Sequence, residues 1–580
     1  MLKECLDVFK KIYEEKGESL ILDTYVPAEG AYVLVDRDGA IKEIKELPKQ
    51  KEPPEDFESF IEKDYLSALI DMNKPIDKKK VIHSNNYYAF WVKKDSIRPD
   101  KNGKVKLTQE IIDDYYGLLK APENKYRKKG LELYEVVEAE IGKPDLEMIE
   151  RHKDWIKNNI FSIVQDNDLK DDKSYLKIYF DADKEAYQRE SRRYVIPNVY
   201  NTTDYNVEVG DKIFGLPNDN MGLNAKKPYL ENKTRKNTMP YLISTEEVAV
   251  QKKFFDYLYN QACLGKSNIY LNEEDGIIAL SNNESLKQSF RGYYLRIQKG
   301  KEVEVHDFDE ITGFEAEIEP IELKQYIPIP EKGATDLIYE KIKKLSDVRT
   351  LINGTYFKKM LTSYFFTDAK DIKITDAKVK EELIRCRNGY FNWFFKGDIS
   401  AVKSFFAESS FVLIKNSIGN NYIPKAIEQF NVREAILKYL KGEEYMEQDN
   451  RKLFNRLSDM INGDVTGEIE DDAMFYFAAG QIVKYLLSLN RSSKQYHSIV
   501  NPILNVKTTG RLKELMQKLF IKYNYDIEVK RKRFANLYSA FLLYPIENKE
   551  VDQCLITAGY LYSSLIYEKK NKNEGEAENE

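Results

Sequence analysis

Cysteine and histidine are both scarce, four of each in 580 residues. Cys5, Cys263, Cys386 and Cys554 stand more than a hundred residues apart, with no CxxC pair and no secretory leader ahead of them. That spacing predicts a reduced, cytoplasmic protein and argues against a disulfide framework or a zinc site. No apolar run approaches the roughly 18 residues that a membrane-spanning helix needs, so the chain is expected to be soluble and to have no membrane partner. A GxxxxGK[ST] phosphate loop, a GxGxxG after a strand, a GxSxG elbow and an HExxH helix are all absent. No spacing among the 96 carboxylates singles out a pair for acid–base or two-metal work. No catalytic residue, metal site or cofactor is therefore predicted.

A basic overall balance is missing too. With 90 Lys and Arg against 96 Asp and Glu, the net charge is −6. Charge is screened beyond roughly 8 Å, so a polyanion-facing surface would have to be a local patch. Hydrophobic content of 42% is enough for ordinary cores, and the length suits two to four domains. His83, His152, His306 and His497 are dispersed, so metal-dependent hydrolysis would need long-range convergence. His306-Asp307 has the form of an HD-phosphohydrolase dipeptide, but that chemistry needs further ligands, and His306 falls on an apparent strand.

Periodicity predicts an α+β N-terminal region followed by an all-α one that ends in a C-terminal helical bundle. Residues 2–15 read as a helix, then 20–25, 31–35 and 40–44 as a strand meander with its last turn at Asp38-Gly39. A second helix runs from Phe57 to Ile70. His83 to Lys94 reads as a buried strand with Lys93 and Lys94 emerging at its end, and Phe90 and Trp91 read as core rather than base-stacking groups. Helices at 111–119, 131–141 and 146–163 and a strand at 175–180 follow. Ser244 and Glu247 form a capping box that starts a helix through Tyr259, and residues 268–325 return to strands. Beyond them, helices are predicted at 337–345, 356–366, 379–395, 425–440, 453–461, 474–489, 512–523, 534–543 and 551–567. The expected division is 1–330, 331–445 as a helical connecting region, 446–568 as the bundle, and 569–580 as a disordered acidic tail.

Two stretches stand apart. Gly215 to Pro240, GLPNDNMGLNAKKPYLENKTRKNTMP, has few core-forming side chains, and its glycines and prolines forbid a continuous helix. Five asparagines alternate with Lys226, Lys227, Lys233, Arg235 and Lys236, opposed only by Asp219 and Glu231. Asparagine presents a paired donor and acceptor that read base edges, whereas Lys and Arg hold phosphates. Asn218, Asn220 and Asn224 form the expected reading group, and the five cations the holding group. Arg189, Arg192 and Arg193 lead toward the loop. The alternative is that its asparagines merely cap turns. Farther on, residues 491–545 carry a local excess of eight positive charges, including Lys507, Arg511, Lys518, Lys530, Arg531 and Arg533. Such a run is either a solvated helix face or a polyanion-facing surface.

Taken with NKPIDKKKVIHSNN (Asn73 to Asn86), the Gly215–Pro240 loop makes the chain resemble the large subunit of type I-B CRISPR effector (Cascade) complexes, over nearly its whole length. The resemblance implies an N-terminal domain that grips the 5′ end of a guide RNA and reads the protospacer-adjacent motif in target double-stranded DNA. It also implies a C-terminal bundle resembling the small subunits that line the displaced strand, where the second basic surface would serve. The implied partners are guide RNA, the backbone and 5′-end subunits, and a helicase-nuclease. A small subunit can arise in this family from an internal start, with Met446, Met460 and Met474 as the candidates here. Sequence specificity along the target would then come from guide pairing. Two other readings stay open, a helical scaffold for protein partners and a cryptic metal-dependent nuclease.

Overall fold

The structure is a computed structural model that describes residues 2–50, 52–170, 172–218, 242–330, 338–445, 449–462, 467–490, 497–524, 527, 532–546 and 550–568. It divides into two compact units, residues 1–284 with 292–310, and 285–291 with 311–580. The class is α+β, with strands concentrated in the first unit and helices dominating the second. The expected boundaries at 330/331 and 445/446 each adjoin residues outside the described set, as does the tail from 569.

The first unit opens with the amphipathic helix Leu2–Lys16. Strands β1 (Gly30–Val35), β2 (Ile41–Leu47), β3 (Ala89–Lys93) and β4 (Tyr175–Phe180) form one sheet in the order β2-β1-β4-β3. β1 and β4 run parallel at its centre, and β2 and β3 flank them antiparallel. Every residue of β1 is buried, as expected of a strand with neighbours on both sides and helices over the sheet. Helices Glu58–Ser67, Gln109–Lys120, Leu146–Asn159 and Lys184–Asn198 supply Phe60, Tyr115, Ile156 and Tyr187 to the same core. Phe90 and Trp91 are buried in it.

Two local expectations give way here. Residues 20–25 are not a strand: Ser19–Leu22 is a helical turn, and both ladder edges of β1 are already taken by β2 and β4. Lys94 does not emerge. Its side chain is 1% exposed and its ammonium donates to Lys170 O at 2.8 Å, with Asp172 at 3.3 Å and Glu46 at 3.5 Å. Arg189, Arg192 and Arg193, which lead toward the polar stretch, lie within helix Lys184–Asn198, which Asp183 caps and whose last turn accommodates Pro197.

Strands β5 (Val207–Val209), β6 (Lys212–Gly215) and β7 (Ile243–Ser244) make a small antiparallel sheet, followed by helix Thr245–Cys263. Strands β8 (Asn268–Asn272), β9 (Gly276–Leu280), β10 (Phe290–Lys299) and β11 (Val303–Phe314) form another, in the order β11-β10-β8-β9. Phe9, Phe254, Leu258, Ile269 and Leu295 join it to the first helix and to helix Thr245–Cys263.

In the second unit, β12 (Glu317–Glu322) pairs with β13 (Lys341–Lys344). β13 takes the place of the helix expected at 337–345, because an available strand edge outweighs local propensity. Helix Leu345–Phe357 follows, over residues expected to lie between two helices, and stops at Lys358 and Lys359, both at positive φ, so that most of the helix expected at 356–366 is replaced by turns and a 3-10 piece at Thr362–Tyr364. The 20-residue helix Ser400–Gly419, not anticipated from the sequence, buries Val402, Phe406, Leu413 and Ile414 together with Ser409, Ser410 and Ser417. With apolar and small residues spread around it, it lacks the one-sided stripe that announces a surface helix. Helix Asp472–Ser488 is buried along almost its full length. It meets helix Gln553–Leu561 backbone to backbone: a Cβ at Gly480 would lie 2.2 Å from Ile556 O, and one at Gly559 2.1 Å from Phe477 O. Among the described residues no helix is long and apolar enough to cross a membrane.

Candidate nucleic-acid interface

The polar loop leaves from one strand and returns on its neighbour. β6 and β7 pair Phe214 with Ser244 and Gly215 with Ile243, so chain entering and leaving the excursion is held in one ladder. A second clasp lies just outside it: Asn201 N donates to Leu216 O and Asn218 N to Val199 O, both at 2.9 Å. Tyr200 pins the two strands together. Its hydroxyl lies 3.0 Å from Ile213 O on β6 and 3.0 Å from Ile243 O on β7, with Thr245 Oγ1 at 3.3 Å. Burial pushes its phenol up to about 12, so it stays a donor at neutral pH. Gly215 is required by close approach, since a Cβ there would lie 2.5 Å from Asn206 Oδ1 and 2.6 Å from the Tyr200 ring.

The returning strand passes directly into helix Thr245–Cys263 through the capping box read in the sequence. Ser244 Oγ accepts from Glu247 N at 3.3 Å, and the Glu247 carboxylate accepts from Ser244 N at 3.1 Å. From below, Lys74 donates to Asn198 O at 2.7 Å and also to Tyr200 O. Lys74 of the Asn73–Asn86 segment is thus tied to residues 198–200, the stretch whose Tyr200 pins β6 to β7. Most of that segment is structural. Asp77 accepts from Lys79 N and Val81 N, Asn85 donates to Leu66 O and Ala68 O, and Asn86 donates to Ser67 Oγ. Lys78, Lys79 and Lys80 are exposed.

Of the expected reading and holding groups, Asn218 is described, and it lines a small cleft with Ile70, Val199, Val248 and Lys252. Asn220, Asn224, Lys226, Lys227, Lys233, Arg235 and Lys236 lie outside the described residues. Arg192 is half exposed and pairs with Glu140 at 2.5 Å. Arg193 is turned inward, 4% exposed, pairing with Glu190 at 2.8 Å and donating to Gly142 O at 2.9 Å. Burial opposes its charge, but the Glu190 pair prevails and holds its pKa above the ordinary value. Arg193 is thus committed to the fold rather than presented to a phosphate. Tyr200 and Thr245 build the loop's foot without having stood out in the sequence, because their partners are backbone carbonyls of other segments.

The second basic region rests on helix Thr509–Tyr523. Leu512, Met516, Leu519 and Tyr523 are its buried face, while Arg511, Lys518 and Lys522 are exposed. At 3.6 residues per turn those three cations fall on one face of the helix. Arg511 also pairs with Glu514 at 2.6 Å. Lys507 is exposed just before the helix, and Arg533, on helix Lys532–Leu543, donates to Glu568 O. Lys530 and Arg531 lie outside the described residues, as does Met446; Met460 is half-buried and Met474 buried.

Among the described residues no group of three or more His, Cys, Asp or Glu is placed to hold a metal ion. His83 contacts Tyr175 Oη at 3.0 Å, His152 contacts Tyr87 O at 2.8 Å, and His306 is on β11 with Glu304 at 3.3 Å. The four cysteines form no disulfide. No family model, curated protein or solved structure matches the chain.

Proposed function

We propose that the chain is the non-catalytic large subunit of a type I-B CRISPR effector complex working in the cytoplasm. In this reading it recognises the protospacer-adjacent motif in double-stranded DNA, helps hold the guide RNA 5′ end, stabilises the displaced strand and recruits the helicase-nuclease. The observation that carries the proposal is the foot of the Gly215–Pro240 loop. A stretch rich in base-reading and phosphate-holding side chains is clasped at both ends by β6 and β7, pinned by Tyr200 and backed by a capped 19-residue helix. A merely solvated loop has no need of such an anchorage, whereas a reading loop must be held in register. The exposed stripe Arg511, Lys518 and Lys522 supplies a second phosphate-facing surface for the displaced strand.

The assembled complex tests the reading by its DNA affinity as a function of salt. Lys226→Ala with Lys227→Ala is expected to weaken duplex binding and to flatten the salt slope by about one for each phosphate no longer neutralised. Asn220→Ala or Asn224→Ala is expected to cost roughly 1–3 kcal/mol on the preferred motif and little on other DNA. An unchanged salt slope removes the phosphate role, and equal losses on both DNAs remove the reading role. If DNA affinity were untouched by every one of these changes while subunit assembly depended on the chain, a protein scaffold would replace the proposal.

A further inference from the structure

Two short cationic stretches, far apart in the chain, meet in the first unit. Residues 73–80 read NKPIDKKK and residues 125–129 read KYRKK, eight cations against one carboxylate in a chain whose net charge is −6. The fold joins them, with Lys125 Nζ donating to Lys74 O at 3.3 Å and also to Pro75 O. It sets both beside the foot of the polar loop, through Lys74 to Asn198 O and Tyr200 O and through Lys129 to Asn206 O. Burial, and then the charge of Lys74, push Lys125 down to about 8.

The one carboxylate does not offset the lysines that follow it. Asp77 is 3% exposed, and its oxygens accept from the backbone amides of Lys79, Val81 and Ile82 at 2.8, 2.6 and 3.1 Å. Those bonds fix the turn, and His83 Nε2 lies 3.1 Å from Lys80 O. Lys78, Lys79 and Lys80 are left exposed on it, and none pairs with a carboxylate among the described residues. Arg127 and Lys128 are exposed and unpaired in the same way. Lys80 is held at φ 58° and Lys128 at φ 48° and ψ −130°. Glycine adopts such a backbone readily, whereas a lysine pays about 1–3 kcal/mol, and strained positions of this kind cluster where side chains are put to use.

We infer that the surface formed by residues 73–80 and 125–129 holds the phosphates of duplex DNA flanking the motif that the loop reads. Ammonium and guanidinium groups with no carboxylate partner hold a phosphodiester backbone whatever its sequence. The surface adjoins the strands from which the loop leaves and to which it returns, so a duplex met by the loop runs over both. The inference rests on the loop reading and adds a sequence-independent grip to it.

The test titrates the assembled complex with motif-bearing and motif-free duplexes between about 50 and 200 mM salt. Lys78→Ala with Lys79→Ala and Arg127→Ala is expected to flatten the slope of log affinity against log salt by about two to three, near 0.9 for each phosphate released, with equal losses on the two duplexes. Lys78→Arg with Lys79→Arg is expected to keep the slope. Lys128→Gly is expected to weaken both duplexes while the melting temperature of the chain stays unchanged or rises, because glycine relieves the backbone; a lysine with only a structural role would leave both affinities alone. Unchanged slopes, a loss confined to the motif-bearing duplex, or a loss of guide RNA from the complex in place of duplex affinity overturns the inference. Lys226→Ala with Lys227→Ala, measured in parallel, separates the two failures. If that pair is silent while the changes at 78, 79 and 127 flatten the slope, the loop reading falls and the surface stands; the opposite result removes the surface alone.

Discussion

Replacing Tyr200 by Phe tests whether the loop's foot is a built anchorage. The substitution removes one oxygen and keeps the buried ring, which is 2% exposed. That oxygen sits 3.0 Å from the carbonyls of Ile213 and Ile243, one on each strand of the β6–β7 pair. A single hydroxyl hydrogen serves one carbonyl at a time, so the direct loss is one hydrogen bond of about 1 kcal/mol. The carbonyls it leaves shielded beneath the ring raise the total to about 1–2 kcal/mol. This loss falls on a two-strand clasp rather than on the whole unit. Native-state hydrogen exchange, which reads local opening free energies, is expected to show about tenfold lower protection for amides in 213–216 and 243–244. Amides of β1, in the larger sheet, are expected to keep theirs. Tyr200→Phe is expected also to weaken motif-dependent duplex binding by the assembled complex. Unchanged protection at both strands, with β1 as the internal standard, would refute the argument that Tyr200 pins them.

Three further outcomes follow from buried groups in the first unit. Burial lowers the pKa of His152 from 6.5 to about 4, with its ring stacked 3.8 Å from Phe180 and its Nδ1 against Tyr87 O. A group whose folded pKa is depressed as a base makes the unfolded state the better proton binder between those values, so stability falls as pH drops from about 6.5 to about 4. At about 1.4 kcal/mol per pH unit the loss approaches 3 kcal/mol, and His152→Phe should flatten that limb in pH-dependent denaturation. The ammonium of Lys177 lies 3.9 Å from the Trp91 ring centre and pairs with Asp64, which also accepts from Tyr25 at 2.7 Å and Tyr179 at 2.5 Å. Asp64→Asn leaves that charge buried and unpaired and is expected to cost about 3–5 kcal/mol, while Asp64→Asn with Lys177→Met should recover most of it in urea denaturation. Ser244→Ala removes the cap of helix Thr245–Cys263 and is expected to cost about 1 kcal/mol, read by exchange in its first turn.

Local signals were legible in the sequence wherever the chain alone satisfies them. The Asp38-Gly39 turn, the Ser244–Glu247 box, the strand at 175–180 and the amphipathic helices at 453–461 and 512–523 depend on neighbours a few residues away, and all are present. Decisions made between distant segments were not legible. Residues 20–25 and 341–344 exchanged their expected states because strand edges elsewhere were filled in one case and open in the other. Helix Ser400–Gly419 went unseen because buried serines and apolar residues surround it.

The candidate interface divides the same way. The sequence by itself determined that 215–240 is polar and cationic, since composition is a property of the chain. Only the tertiary structure decided what holds it: β7 returns beside β6, Tyr200 bridges them, and Lys74 reaches the foot from 126 residues away. It also decided that Arg193 serves Glu190 rather than solvent. Charge and hydrogen-bonding capacity are written residue by residue, but whether they are spent inside the fold or offered to a ligand depends on which distant segments arrive beside them.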